Sequence, residues 1–215
     1  MENAINNNNI TLIGVVEKEA EYSHEVFGEG YYIFMLKCLR TSGNEDVLPV
    51  MISDRLTDIK EIKVGQAVAV LGQIRSFNKH TDNMKSKLIL TVFAREFEVL
   101  TQDSEELPFE DNTNMVTLDA YICKPPIYRC TPKGREIADI LVAVNRPYGK
   151  SDYIPCIAWG RNARFASTIE VGGHLQVQGR VQSREYTKKI NEEETEKRVA
   201  YEVSVSKIDF VEDEE

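Results

Sequence analysis

Polar and apolar residues alternate with period two over much of the chain, and the pattern is cleanest from Leu175 to Tyr186. Leu175, Val177, Gly179 and Val181 fall on one face; Gln176, Gln178, Arg180, Gln182, Arg184 and Tyr186 fall on the other. A strand of this kind buries one face and offers the second to something charged. The same period marks Met115 to Cys123, Glu136 to Arg146, Asp152 to Trp159 and Val199 to Val211. Pro125-Pro126, Lys133-Gly134 and Pro147 to Ser151 punctuate them with turns. After the third strand, Asn162 to Glu170 switches to helical spacing through Phe165, Ala166 and Ile169.

Five strands with a brief helix after the third fit a small barrel of the oligonucleotide-binding (OB) type. The plan occurs twice. Val64 to Ser76 reads VGQAVAVLGQIRS and Val171 to Ser183 reads VGGHLQVQGRVQS, while Thr11-Leu12 corresponds to Thr117-Leu118 and Pro49 to Pro155. Self-similarity at domain spacing marks one folding unit used twice. In the first copy the strands fall near Ile10 to Glu19, Tyr31 to Arg40, Val47 to Ser53, Ala67 to Ser76 and Leu88 to Leu100, with a short helix around Leu56 to Ile62. The expected architecture is all-β: two tandem OB folds, each a β-barrel with one short helix. The layout is a flexible N-terminal arm (1–9), a divergent first domain (10–100), an acidic linker (101–114), a second domain (115–211) and an acidic tail (212–215).

Composition changes the picture in three ways. The chain of 215 residues is long enough for two such cores without metal or disulfide support. Cys38, Cys123, Cys130 and Cys156 form no C-x-x-C pair, so they read as reduced core thiols rather than zinc ligands, and no metal or cofactor is expected. No apolar run approaches the ~18 residues of a membrane span, and MENAINNNN lacks the flank of a secretory signal, which predicts a soluble cytoplasmic protein. The net charge of −9 is unevenly placed: residues 101–114 hold five acids and no base, whereas residues 115–208 carry net +4. The second copy is a mildly basic body between acidic segments.

Basic residues interleaved with aromatic rings are what binding of an unpaired polynucleotide requires, since bases stack on rings while cations hold the backbone. Tyr153 and Trp159 share strand parity, Tyr148 sits at a hairpin tip, and Tyr186 lies beside Arg184, Lys188 and Lys189. Arg161 follows Trp159 at the same parity, and Arg146 and Arg180 add charge. The competing assignment is ordinary core, because Ile154, Cys156 and Ala158 alternate with the rings and either parity could face inward. In the first copy the corresponding places, Val47, Ser53 and Lys79, carry no ring; Phe77 is a substitute, with Arg75, Lys79 and Lys85 as candidate phosphate contacts.

The segments Gly134 to Ala138, Ile140 to Arg146, Asp152 to Arg161, Val171-Gly-Gly and Val177 to Tyr186, in that order, resemble the bacterial single-stranded DNA-binding protein family. The first copy resembles it more faintly, through Val64-Gly-Gln and Leu71 to Ser76. The resemblance implies that Tyr148, Tyr153, Trp159 and Tyr186 occupy places where family members stack DNA bases. It further implies a nucleoid-associated bacterial protein that coats single-stranded DNA in replication, recombination and repair. Because the family assembles four barrels, a two-barrel chain implies a homodimer, with Ala69 and Leu71 as candidate contacts. Replication and repair partners are recruited in the family through a hydrophobic C-terminal tip, whereas this sequence ends Phe210-Val-Glu-Asp-Glu-Glu215.

Two other function classes compete. Catalysis is disfavoured because His24, His80 and His174 lie in unrelated places, with His24 read as loop and no acid pair at motif spacing. An interaction module of a replication-restart (primosome-like) assembly, with nucleic-acid binding secondary, fits the degenerate first copy. RNA would satisfy the same stacking and phosphate contacts.

Overall fold

The computed structural model describes residues 7–80, 86–100, 113–189 and 195–212. The first barrel comprises β1 (Asn8–Val26), β2 (Glu29–Leu39), β3 (Glu45–Ser53), β4 (Ala67–His80) and β5 (Ser86–Val99). It closes in the circular order β1-β2-β3-β5-β4, with every pairing antiparallel except β3–β5. The second comprises β6 (Asn114–Ile122), β8 (Glu136–Arg146), β9 (Lys150–Trp159), β10 (His174–Lys189) and β11 (Thr195–Phe210), and closes in the same way. A short extra strand, β7 (Ile127–Cys130), pairs with β8 outside the barrel.

Alternation behaves as the pattern requires. Leu175 and Val177 are buried inside β10, as are Ile154, Cys156 and Ala158 inside β9. Closure needs a sharp bend in each fourth strand, and both copies place a glycine there. A Cβ on Gly72 would lie 2.1 Å from the Phe93 carbonyl oxygen, and one on Gly179 would lie 2.2 Å from that of Ser204. Both sit at a register shift, so the repeat preserves the bulge.

Several expectations change. Asn8 and Asn9, assigned to the flexible arm, are strand residues; the Asn8 amide is 1% exposed and exchanges hydrogen bonds with the Ile74 backbone. His24, read as loop, lies on β1. The expected first-copy helix is a single 3-10 turn, Ile59–Glu61, which the Asp58 carboxylate caps at its start by accepting from the Lys60 amide and which stops at the extended Ile62. In the second copy α1 (Arg161–Ala166) does form, seated on the barrel by Ala163 and Ala166, both fully buried. Cys38 and Cys156 are core thiols, burial pushing Cys38 up to about 12, but Cys130 is exposed. Most of the linker and the tail beyond Glu212 lie outside the described residues.

The barrels are not beads on a string. β1 pairs antiparallel with β6, joining both into one eleven-stranded sheet. The register runs Asn8↔Leu118, Ile10↔Val116 and Leu12↔Asn114. Exchanging each residue for its counterpart 106 positions away, as Thr11 is for Thr117, returns the same register. The contact is therefore isologous about a local two-fold axis through Ile10 and Val116.

The carboxylate contacts follow the same symmetry, except that the cross-junction arginines, Arg75 and Arg180, stand two positions apart in the aligned repeat. Asp46, fully buried on β3, accepts from the Ser183 amide at 2.8 Å and pairs with Arg180 at 3.0 Å across the junction, and with Arg40 on its own side. Asp152, fully buried on β9, accepts from the Ser76 amide at 2.7 Å and pairs with Arg75 at 2.9 Å across the junction, and with Arg146 on its own side at 3.5 Å. Removing one partner of a buried pair is costly because the rest stay desolvated. Asp152→Asn and Asp46→Asn should each lower stability by about 3 kcal/mol in urea denaturation, near the low end for such pairs because the arginines retain some water. A loss under about 1 kcal/mol in both would contradict the structural importance of the carboxylates.

Candidate functional site

The outer face of the second barrel is built by β9, the β8–β9 turn and the β10–β11 hairpin. On β9 the inward set is small and apolar, which leaves Tyr153 and Trp159 to project outward; they are 44% and 39% exposed. Six residues of strand separate them, roughly 20 Å. Trp159 has Ile137 as its cross-strand neighbour, and the exposed Arg161 opens the helix just beyond it. Tyr148, 93% exposed, occupies the turn Pro147–Gly149 with φ of 64°. A bulky residue in that left-handed region costs energy and packs on nothing here.

The β10–β11 hairpin adds the charge. Tyr186 is half-buried with the Arg184 guanidinium 5.9 Å from its ring centroid, and Lys188 and Lys189 are exposed beyond it. Arg184 also lies 3.3 Å from Glu202, whose carboxylate accepts from the Gln182 amide. Arg184, Tyr186 and Pro155 face Lys87 of β5 across a hollow of about 290 Å³, so this surface crosses from one barrel to the other. Its chemistry is a set of ring faces flanked by cations, suited to flat aromatic ligands carrying negative charge.

Three of the candidate cations stand elsewhere. Arg75, Arg146 and Arg180 are committed to the junction carboxylates Asp152 and Asp46 rather than lying free on the surface. Each junction nevertheless sets two guanidiniums against one carboxylate, leaving one positive charge in excess. Burial and the neighbouring Arg40 push Arg180 down from its ordinary value, while its bond to Asp46 holds Arg40 up. Sequence reasoning missed the two aspartates, although each occupies the same place in the repeat, 106 positions apart.

On the first barrel Phe77 is 44% exposed on β4, as expected of a surface ring. Lys79 lies on the same strand, and Lys85 falls outside the described residues. The structure adds rings that alignment of the copies did not find. Tyr31 stacks on His24 at 5.1 Å and lies 6.0 Å from Phe93, over which the Arg75 guanidinium sits. The signal was present in the outward parity of Tyr31, Ile33 and Met35 on β2.

Residues 113–211 match the Single-strand binding protein family. The chain is 34% identical over 80 residues to the single-stranded DNA-binding protein of Halalkalibacterium halodurans, a match covering 34% of this chain and 48% of that protein. It is 35% identical over 80 residues to single-stranded DNA-binding protein A of Bacillus subtilis, covering 34% and 46%. It thus spans about half the length of the curated relatives it matches. Across 97% of its own length it superposes on 94% of the crystal structure of the wild-type single-stranded DNA binding protein from Thermus aquaticus, with TM-score 0.74 and 20% identity. That likeness extends through both barrels and shows the fold.

The Tyr148 geometry has a direct consequence for stability. Tyr148→Gly should leave the melting temperature unchanged or raise it, with a gain of up to about 1 kcal/mol from relief of the left-handed conformation. A destabilisation above about 1 kcal/mol would mean that the ring carries packing.

Proposed function

We propose, on the premise that residues 113–211 belong to the single-strand binding protein family, that this chain binds single-stranded DNA without sequence preference. The observation that carries this reading is the outward placement of Trp159, Tyr153 and Tyr186 beside Arg161, Arg184, Lys188 and Lys189 on the family-matched barrel. Bases stack on the rings, each stack contributing about 1–3 kcal/mol, and cations track the phosphates. Tyr148 at the hairpin tip extends the platform. The two barrels act as tandem OB domains held in fixed register, so a strand leaving one meets the other without crossing a linker. The role is to hold unpaired DNA open and protected in the bacterial nucleoid during replication, recombination and repair. No catalytic step is assigned.

The chain also pairs with a second copy, giving four barrels. Supporting this, Leu71 and Met115 are 44% and 46% exposed, and both lie opposite Thr11 on neighbouring strands. Exposed apolar clusters of this sort mark interfaces. Light scattering at micromolar concentration should return the mass of two chains, and Leu71→Asp should return that of one.

Trp159, the chain's one tryptophan, is a built-in reporter. Its fluorescence should be quenched by oligo-dT and scarcely by duplex DNA. Trp159→Ala and Tyr186→Ala should each weaken oligo-dT binding by about 1–3 kcal/mol with the fold intact. Affinity should fall with salt at a slope of roughly −0.7 per phosphate neutralised. Binding that is indifferent to salt and to both substitutions would overturn the reading, and would favour an interaction module that leaves DNA to other proteins.

A further inference from the structure

The first barrel lacks rings at the places where the second has them, yet its outer face is not bare. Val47 and Ser53 stand where the second barrel has Tyr153 and Trp159. Ser53 is 8% exposed and donates its hydroxyl proton to Glu29, so it presents nothing to solvent. Its cross-strand partner, however, is Tyr31, just as the partner of Trp159 is Ile137. The aromatic member of the pair has moved one strand over, and cross-strand partners share a face. The same shift recurs nearby. Phe93 pairs with Met51 where Ser204 pairs with Ile157, and Phe77 occupies the place of Arg184.

The relocated rings converge. Tyr31, Phe77, Phe93 and Arg75 line an open hollow of about 650 Å³, with Arg146 reaching it from the second barrel. That size lies within the range of small-ligand clefts, about 300–1,000 Å³. His24 extends the platform by stacking on Tyr31, and Arg75 lies over the Phe93 ring. Arg75 and Arg146 share the single carboxylate of Asp152, which leaves a positive charge beside the rings. The acid nearest Tyr31, Glu29, is already held by Ser53 and Arg55, and the Ser53 bond keeps its carboxyl below the usual range. Thr91 lines the same hollow, and its hydroxyl is the one buried side-chain oxygen among the described residues without a hydrogen-bond partner. Ordinary barrel packing does not account for rings left half-open around a cationic hollow that also borders an unsatisfied hydroxyl.

We infer that Tyr31, Phe77 and Phe93, with His24 and Arg75, form a second nucleobase-stacking site on the first barrel, at positions that do not correspond to those of the second. The inference rests on the proposed binding of single-stranded DNA and adds where the strand goes after leaving Trp159. It enters the first barrel near Arg146 and runs along β4 toward Phe77.

The test uses the full chain and end-labelled dT oligomers of roughly 8 to 32 nucleotides, one to two barrels' worth at about 4–16 per fold. Trp159 fluorescence is read in parallel with anisotropy of the label. Phe77→Ala and Tyr31→Leu should weaken binding of the longest oligomers about tenfold and leave the shortest, which quench Trp159, nearly unchanged; Tyr31→Phe should behave as wild type. If Tyr31→Leu does not fold, Phe77→Ala, on an exposed strand extension, carries the test alone. Wild-type quenching with variant titrations that coincide with wild type at every length overturns this site and spares the parent reading. Absence of wild-type quenching at every length overturns the parent reading and this site with it.

Discussion

Two buried carboxylates hold this molecule in its working shape. Asp46 and Asp152 each reach across the junction to a backbone amide and an arginine of the opposite barrel, on either side of the β1–β6 ladder. A buried charge is tolerated only when paired and hydrogen-bonded, so the geometry between the barrels is strongly specified. Moving one barrel relative to the other would strand both aspartates at once. The continuous sheet contributes direction; the carboxylates contribute register.

That rigidity has consequences for the outer faces. Because the junction is isologous, the second-barrel hairpin carrying Arg184 and Tyr186 lies against Lys87 to Leu90 of the first barrel. Arg146 of the second barrel likewise borders the Tyr31 and Phe93 platform of the first. Each face is completed by the other barrel. A fixed pair can also diverge in a way that identical subunits cannot, since a substitution in one copy leaves the other untouched. The aromatic rings differ in place between the copies, while the junction carboxylates Asp46 and Asp152, with Arg40 and Arg146 beside them, keep theirs.

Much of the fold was legible in the sequence, for reasons that are local. Period-two alternation located ten strands because each barrel wall has one face in the core and one outside. The duplicated block revealed the second copy, and the structure then showed that the repeat carries a bulge at Gly72 and Gly179 alike. The junction was not legible, because nothing in Asp46 or Asp152 alone says that the strand opposite belongs to another barrel. That is why Arg75, Arg146 and Arg180 read as surface cations when they are partners in buried pairs. The first-copy helix failed for a different reason. Ile59 and Ile62 have helical spacing, but the run is capped at Asp58 and the backbone is already extended at Ile62, so only one 3-10 turn fits between them. On the second barrel parity alone left Tyr153 and Trp159 open to either core or surface, and the structure turns both rings outward. On the first, the copies were compared position by position, which hides a ring that has moved to the neighbouring strand.

The account's central claim is that one rigid two-barrel body presents a continuous surface for an unpaired strand. Hydrogen–deuterium exchange of the full chain with and without saturating oligo-dT tests it most directly, because it reads both barrels in a single experiment. Protection is expected at residues 150–161 and 183–189 and also at residues 24–31, 75–77 and 91–93, with the already protected β1–β6 ladder unchanged. Oligo-dT that protects neither barrel's outer face, or that instead loosens the β1–β6 ladder, would contradict the claim.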